Sequence, residues 1–327
     1  MHRTRLGATL VLAATATVAF AAGTAEPTVP DAIPRVDRLV QPNERLSLVA
    51  TTSIVGDVLA NVAGDAADLT ILMERGQNPH AYEPTPSALR SVEAAHLVFV
   101  NGFDLEEALL GSIADVASGP IVPVSAGIEP LDHDDHDDHD EAHDHHGRDP
   151  HVWMDPNNVV IWVDNMVRVL AQADPANADV YRENGEQYAG ALREVDRSIR
   201  EQVSRIPPSN RKLVVDHKTF SYFADEYDMD VVGAVVPGTS DRDEPSAQEV
   251  ARLVEVIRTE DIAAILVGRT ASRGMQRLAE AVAQEAGRPI EIVPTLTGSL
   301  ATRGEPGDTY IGLLEYNVDQ ILSAIGE

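Results

Sequence analysis

ANADVYRENGEQYAGALREVDRSIREQVSR, residues 176–205, is the stretch on which the fold turns. Within it Tyr188, Leu192, Val195, Ile199 and Val203 recur at spacings of four, three, four and four. That period lays them along one stripe of an α-helix whose other faces are charged. Pro207 and Pro208 stop the helix, because proline has no N–H to give and its ring clashes with the preceding turn. Thirty residues rising 1.5 Å each span roughly 45 Å, enough to cross a whole domain and to join two.

On both sides of this helix, strands alternate with helices. Upstream, apolar β-branched runs occupy 46–50, 69–72, 97–100 and 121–124, with one intervening helix opened by Thr85 as cap and Pro86 in its first turn. Asp155-Pro156 opens another in the same way. Downstream, runs at 213–215, 231–236, 263–267 and 290–293 repeat the alternation. The pattern predicts an α/β protein of two (β/α) lobes with parallel sheets, joined by the long helix. The predicted divisions are a signal peptide (1–22), a flexible leader (23–44), an N-terminal lobe (45–174), the linking helix (175–206) and a C-terminal lobe (207–327). The N-terminal lobe carries a His/Asp-rich insert at 132–149, DHDDHDDHDEAHDHHGRD.

The signal peptide is read from His2, Arg3 and Arg5, the apolar run 6–22, and the small-x-small triplet Ala19-Phe20-Ala21. No second long apolar stretch follows, so the mature chain is expected to be exported, soluble, and periplasmic or extracellular. The 327 residues include no cysteine. This excludes disulfides, cysteine-based zinc sites and cysteine nucleophiles, and the chain is expected not to be a lipoprotein, whose lipid needs a cysteine. Any metal must be held by His, Asp and Glu. Fifty-three acidic residues against 25 basic give a net charge of −28, with eight of the acids in 132–144. Such a surface repels nucleic acid and anionic lipid, and neither is expected as a partner.

Of eleven histidines, six (His133, His136, His139, His143, His145 and His146) lie in the insert, where composition alone favours weak auxiliary metal handling. His80, His96, His151 and His217 lie in the folded body. An isolated histidine is more often a hydrogen-bonded structural residue than a ligand, and His96, opening the strand at 97–100, is read that way. His80 and His217 instead follow strands, where open parallel sheets bind ligands. His151 precedes a helix, and Pro79 and Pro150 stiffen two of the three loops. Asp149, Asp155 and Asp216 are available to orient the rings. Position and residue type make the three histidines candidates for a joint site without fixing it.

The motifs GQNPHAYEPTPS (76–87), DPHVWMDP (149–156) and DHKTFSYFADEYDM (216–229) resemble the three ligand motifs of the cluster A-I solute-binding proteins, the metal-binding components of zinc and manganese ABC importers. TTSIVGDVLANVAGD (51–65), EPSAQEVARLVEVI (244–257) and TLTGSLA (295–301) extend the resemblance from about residue 46 to the C-terminus. It implies a metal site in the cleft between the lobes, with His80, His151 and His217 as ligands. It also implies delivery to a transporter permease whose ATPase lies across the membrane, a monomer, and no enzymatic activity. Three imidazoles suit Zn²⁺ better than Mn²⁺, which favours oxygen ligands. Many members carry an Asp ligand in a T-D-S-L context, whereas this chain has Thr297-Gly298-Ser299-Leu300. The fourth ligand is then a water, a neighbouring carboxylate or an insert histidine. Gly298 itself either faces the metal or serves a turn that needs positive φ. The alternatives to zinc delivery are a manganese importer component, an adhesin or free metal chaperone, and a zinc hydrolase. The last lacks an H-E-x-x-H motif and an evident general base.

Overall fold

The structure, a computed structural model, describes residues 32–41, 43–131, 148–240 and 244–325. The expected signal peptide and nearly all of the insert lie outside the described residues. The first lobe contains strands β1 (Leu46–Ala50), β2 (Ala67–Ile71), β3 (Leu97–Val100) and β4 (Ile121–Pro123). Helices α1 (Ser53–Ala63), α2 (Pro86–Ala94) and α3 (Glu107–Val116) connect them. All strand pairs are parallel, in the order β2-β1-β3-β4. The second lobe repeats the order as β6-β5-β7-β8, using β5 (Lys212–Val215), β6 (Asp230–Ala234), β7 (Ala264–Gly268) and β8 (Glu291–Thr295). Its helices are α6 (Ser221–Glu226), α7 (Ala247–Thr259) and α8 (Arg273–Glu285), and α9 (Tyr310–Ile325) closes the chain. The expected class, two parallel-sheet α/β lobes, is the one observed.

Between the lobes, α4 (Pro156–Ala173) and α5 (Ala178–Val203) form a hairpin. The sequence places α5 at 176–205, and its 26 observed residues cover roughly 39 Å at 1.5 Å per residue. Tyr188, Leu192, Val195, Ile199 and Val203 are all buried, and α5 packs on α1 and α4 as well as on α9. Alternation along the strands divides the core. Leu48 and Phe99 of the first sheet, and Leu213, Val215 and Leu266 of the second, join the α5 stripe in one shared core. The opposite faces supply separate cores, Val49, Val98 and Val100 in one lobe and Val214, Ile265 and Val267 in the other.

The leader needs correcting. Its described part is not a free tether: Val36 and Val40 are buried, Val36 N donates to Gln172 Oε1 (3.1 Å) and Leu39 N to Ala173 O (2.8 Å). Two valines among prolines and charges are enough to dock the segment on the end of α4, since burying each contributes roughly 1.5–3 kcal/mol. His96 takes the structural role expected of it, its Nδ1 accepting from Ser47 N at 2.9 Å.

Candidate metal centre

Three short loops bring the body histidines together. His80 lies in a 3-10 turn after β2, opened by Asn78, whose side chain accepts from His80 N at 3.0 Å. His151 stands just before another 3-10 turn (Val152–Met154) that leads into α4. His217 follows β5 after the single residue Asp216, beside the point where the second sheet's strand order reverses. Ring centroids are 5.3 Å apart for His80–His151, 5.5 Å for His80–His217 and 5.3 Å for His151–His217, nearly an equilateral triangle. One nitrogen from each lies within 4.8 Å of the others, the only such group of three His, Cys, Asp or Glu side chains among the described residues.

The rings are oriented from behind. Asp149 Oδ1 accepts from His151 N (2.9 Å) and contacts His151 Nδ1 (2.8 Å). Asp216 Oδ1 does the same for His217, at 2.7 and 3.0 Å. A carboxylate on Nδ1 keeps the proton there and turns the Nε2 lone pair forward, the arrangement of metal-ligating imidazoles. The His80 and His151 Nε2 atoms are 3.2 Å apart. Two nitrogens bound 2.0–2.1 Å from one tetrahedral ion would stand roughly 3.3 Å apart, so the spacing fits a shared ion. The enclosed cavity is about 10 Å³ and is walled also by Asn78, Thr270, Thr297 and Gly298. Burial lowers the His151 pKa, against the opposing charge and hydrogen bond of Asp149, which favours the neutral, ligating form. Burial would raise Asp216, but the His217 ring and the N–H groups of Gly268 and His217 outweigh it and hold the carboxyl below its ordinary value.

Gly268, at the end of β7, is a site residue that the sequence reading missed. Its N–H donates to Asp216 Oδ2 at 2.8 Å. A Cβ there would stand 2.4 Å from Thr297 Oγ1 and 3.2 Å from Asp216 Oδ2. A glycine directly after a predicted strand is the available signal, since it marks close backbone approach.

Two expectations change. Asp155 orients no ring; it caps α4, accepting from Asn157 N at 2.8 Å. Asn157 Nδ2 also reaches Asp155 (3.0 Å), Asp196 on α5 (3.3 Å) and Glu226 on α6 (3.1 Å), tying three helices together. Burial, with added repulsion from Glu226 and Asp196, raises the Asp155 pKa to about 6. The folded state therefore binds an extra proton between about pH 4 and 6, and stability falls as pH rises through that window. Asp155→Asn keeps the cap and removes the buried charge. It should stabilise the protein by roughly 1–3 kcal/mol at pH 7, with the gain gone at pH 4. Urea unfolding of both proteins at the two pH values measures this, and an equal gain at both would refute the assignment.

The second change concerns Gly298, which does not adopt positive φ. It lies across the cleft from Pro79, and a Cβ on it would stand 2.7 Å from Pro79 Cδ. Around it the second lobe is bolted to the first. Trp153 Nε1 donates to Thr297 O (2.8 Å), Gly76 N to Ser299 Oγ (2.7 Å), Leu300 N to Ser53 Oγ (3.1 Å) and Arg75 Nη1 to Ala301 O (3.0 Å). The nearby carboxylates Asp149 and Asp216 are engaged behind the rings, and the insert histidines lie outside the described residues.

Two parallel sheets of identical strand order, meeting at an imidazole-lined cleft, define a two-lobed solute-binding protein. Residues 48–324 match the family described as zinc-uptake complex component A, periplasmic, and the chain belongs to that family of metal-binding components of ABC importers. It is 30% identical over 285 residues to the manganese-binding lipoprotein MntA of Halalkalibacterium halodurans, spanning 87% of this chain and 90% of the relative. To the iron-binding protein YfeA of Yersinia pestis it is 32% identical over 287 residues, spanning 87% and 88%. The solved structure of the periplasmic zinc binding protein TroA from Treponema pallidum aligns with a TM-score of 0.77 at 24% identity, over 86% of this chain and 99% of that one. That several relatives are named lipoproteins stands against the expectation of a lipid-free protein, which rests on the absence of cysteine.

Proposed function

We propose that the chain captures Zn²⁺ outside the cytoplasm through His80, His151 and His217 and hands it to the permease of an ABC importer, without catalysing a reaction. The observation that carries this reading is the convergence of three imidazoles from three loops, two of them with Nδ1 held by a buried aspartate. An all-nitrogen set suits zinc and gives little to manganese, which stands at the weak end of the divalent series. The fourth position falls to a water or to an insert histidine, and His133, His136, His139, His143, His145 and His146 act as weak auxiliary sites. The chain acts as a monomer at the permease.

Manganese is the second reading, favoured by MntA of Halalkalibacterium halodurans, a manganese-binding relative by name. Competition titrations against a chromophoric chelator decide between the two. Zinc should bind at least about a hundredfold more tightly than manganese, as the ligand set dictates. Equal affinities would give the site to manganese. Hydrolase activity finds no support in the cavity: the carboxylates nearest the histidines are engaged behind the rings and offer no general base.

A further inference from the structure

The first lobe has its own strand-order reversal between β1 and β3, and a carboxylate is buried there too. Glu106, 1% exposed, accepts at Oε1 from Thr51 Oγ1 (2.6 Å) and Asn101 N (2.7 Å), and at Oε2 from Gly102 N (3.3 Å). The loop it holds is unusual. Gly102, Phe103 and Asp104 all have positive φ, at 91°, 51° and 61°. A bulky side chain in that region is strained and persists only where surrounding contacts fix it.

What the loop touches is the chain on either side of Asp149. Asn101 Nδ2 donates to Pro150 O at 3.0 Å and to Gly102 O at 2.8 Å. The Arg148 guanidinium lies 5.0 Å from the centre of the Phe103 ring. The peptide running into His151 is thus gripped just before Asp149 and just after it, while Asp149 holds the His151 ring. In the second lobe Asp216 performs the equivalent task directly, from the reversal between β5 and β7.

We propose that Glu106 and Asn101 are positioning residues for His151: Glu106 locks the left-handed loop, and Asn101 Nδ2 fixes the Pro150 carbonyl and with it the placement of the imidazole. This rests on the three-histidine reading above. Outer partners of metal ligands typically carry about 10- to 100-fold in affinity, and that is the effect expected of Asn101→Ala.

The test compares Asn101→Ala and Glu106→Gln with Val62→Ala, a stability control that removes two methyl groups from a buried position at the far end of α1. Zinc affinity is read by competition, coordination geometry by the visible absorption of Co²⁺ used as a zinc substitute, and stability by melting without metal. Asn101→Ala and Glu106→Gln should weaken zinc binding at least tenfold and shift the cobalt spectrum, while Val62→Ala loses melting temperature and changes neither. Affinities and spectra matching the control would overturn the inference. Should Asn101→Ala not fold, Glu106→Gln carries the same comparison, because its amide N–H₂ replaces the acceptor that Gly102 N–H needs. His151→Ala in the same assay separates the two claims: an unchanged cobalt spectrum there sinks the three-histidine reading and this inference with it.

Discussion

A variant with His80, His151 and His217 all changed to alanine should retain no tightly held zinc after dialysis against a weak chelator, where the parent keeps one equivalent per chain. The three rings are the only close group of potential ligands among the described residues, and zinc binds poorly to fewer than three protein donors. Two of the rings are almost fully buried, with His151 1% and His217 4% exposed, so the variant also needs a folding check by circular dichroism. Weak equivalents from the insert complicate a simple metal count. Deleting residues 132–147 in both parent and variant removes them and leaves the tight equivalent visible alone. One tight equivalent surviving in the triple variant would disprove the assignment. Its loss from the parent on deleting the insert would instead make an insert histidine the fourth ligand.

Gly298→Ala should weaken zinc binding by about 5- to 150-fold. The added methyl stands 2.7 Å from Pro79 Cδ and 3.1 Å from Pro79 Cγ, so Pro79, and His80 after it, must move away or the lobes must part. Overpacking of this kind costs roughly 1–3 kcal/mol, and here the cost falls on the contact with the loop that carries His80. Gly298→Asp carries the same Cβ together with a carboxylate, so its affinity relative to Gly298→Ala isolates what an oxygen ligand contributes at this position. That ratio should exceed one for both metals and be larger for manganese, which gains more from a hard donor. Isothermal titration of the three proteins with each metal gives both comparisons. An alanine variant that binds zinc as tightly as the parent would show that the Pro79 contact does not govern the cleft.

Much of this was legible in the sequence because it rests on local rules. Apolar, β-branched runs marked all eight strands to within a few residues, and the stripe from Tyr188 to Val203 marked α5. The histidines stood out because few lie outside the insert and two of them follow strand ends. What escaped the reading depends on contacts distant in the chain. Docking of Val36 and Val40 needs the end of α4. The burial that lifts Asp155 to about pH 6, and the neighbours Glu226 and Asp196 that add to it, belong to a junction of three helices. Gly298 takes its meaning from a proline on the other lobe, and Gly268 from Thr297. Composition and periodicity do not encode those pairings. Asp155 is a partial exception, since an Asp-Pro pair ahead of a helix is itself a capping signal.

The shared core beneath both sheets has a mechanical consequence. Leu48 and Phe99 from one side, Leu213 and Leu266 from the other, and the α5 stripe between them form a single close-packed layer. Close-packed interiors resist deformation and shift between discrete arrangements. A stiff spine of this kind shortens the stroke available to the cleft, and a short stroke suffices for a cargo that is a single ion. His80 and His151 ride on one side and His217 on the other, so with an ion shared among them, as proposed, parting the rims by about half an ångström would already stretch a bond of 2.0–2.1 Å.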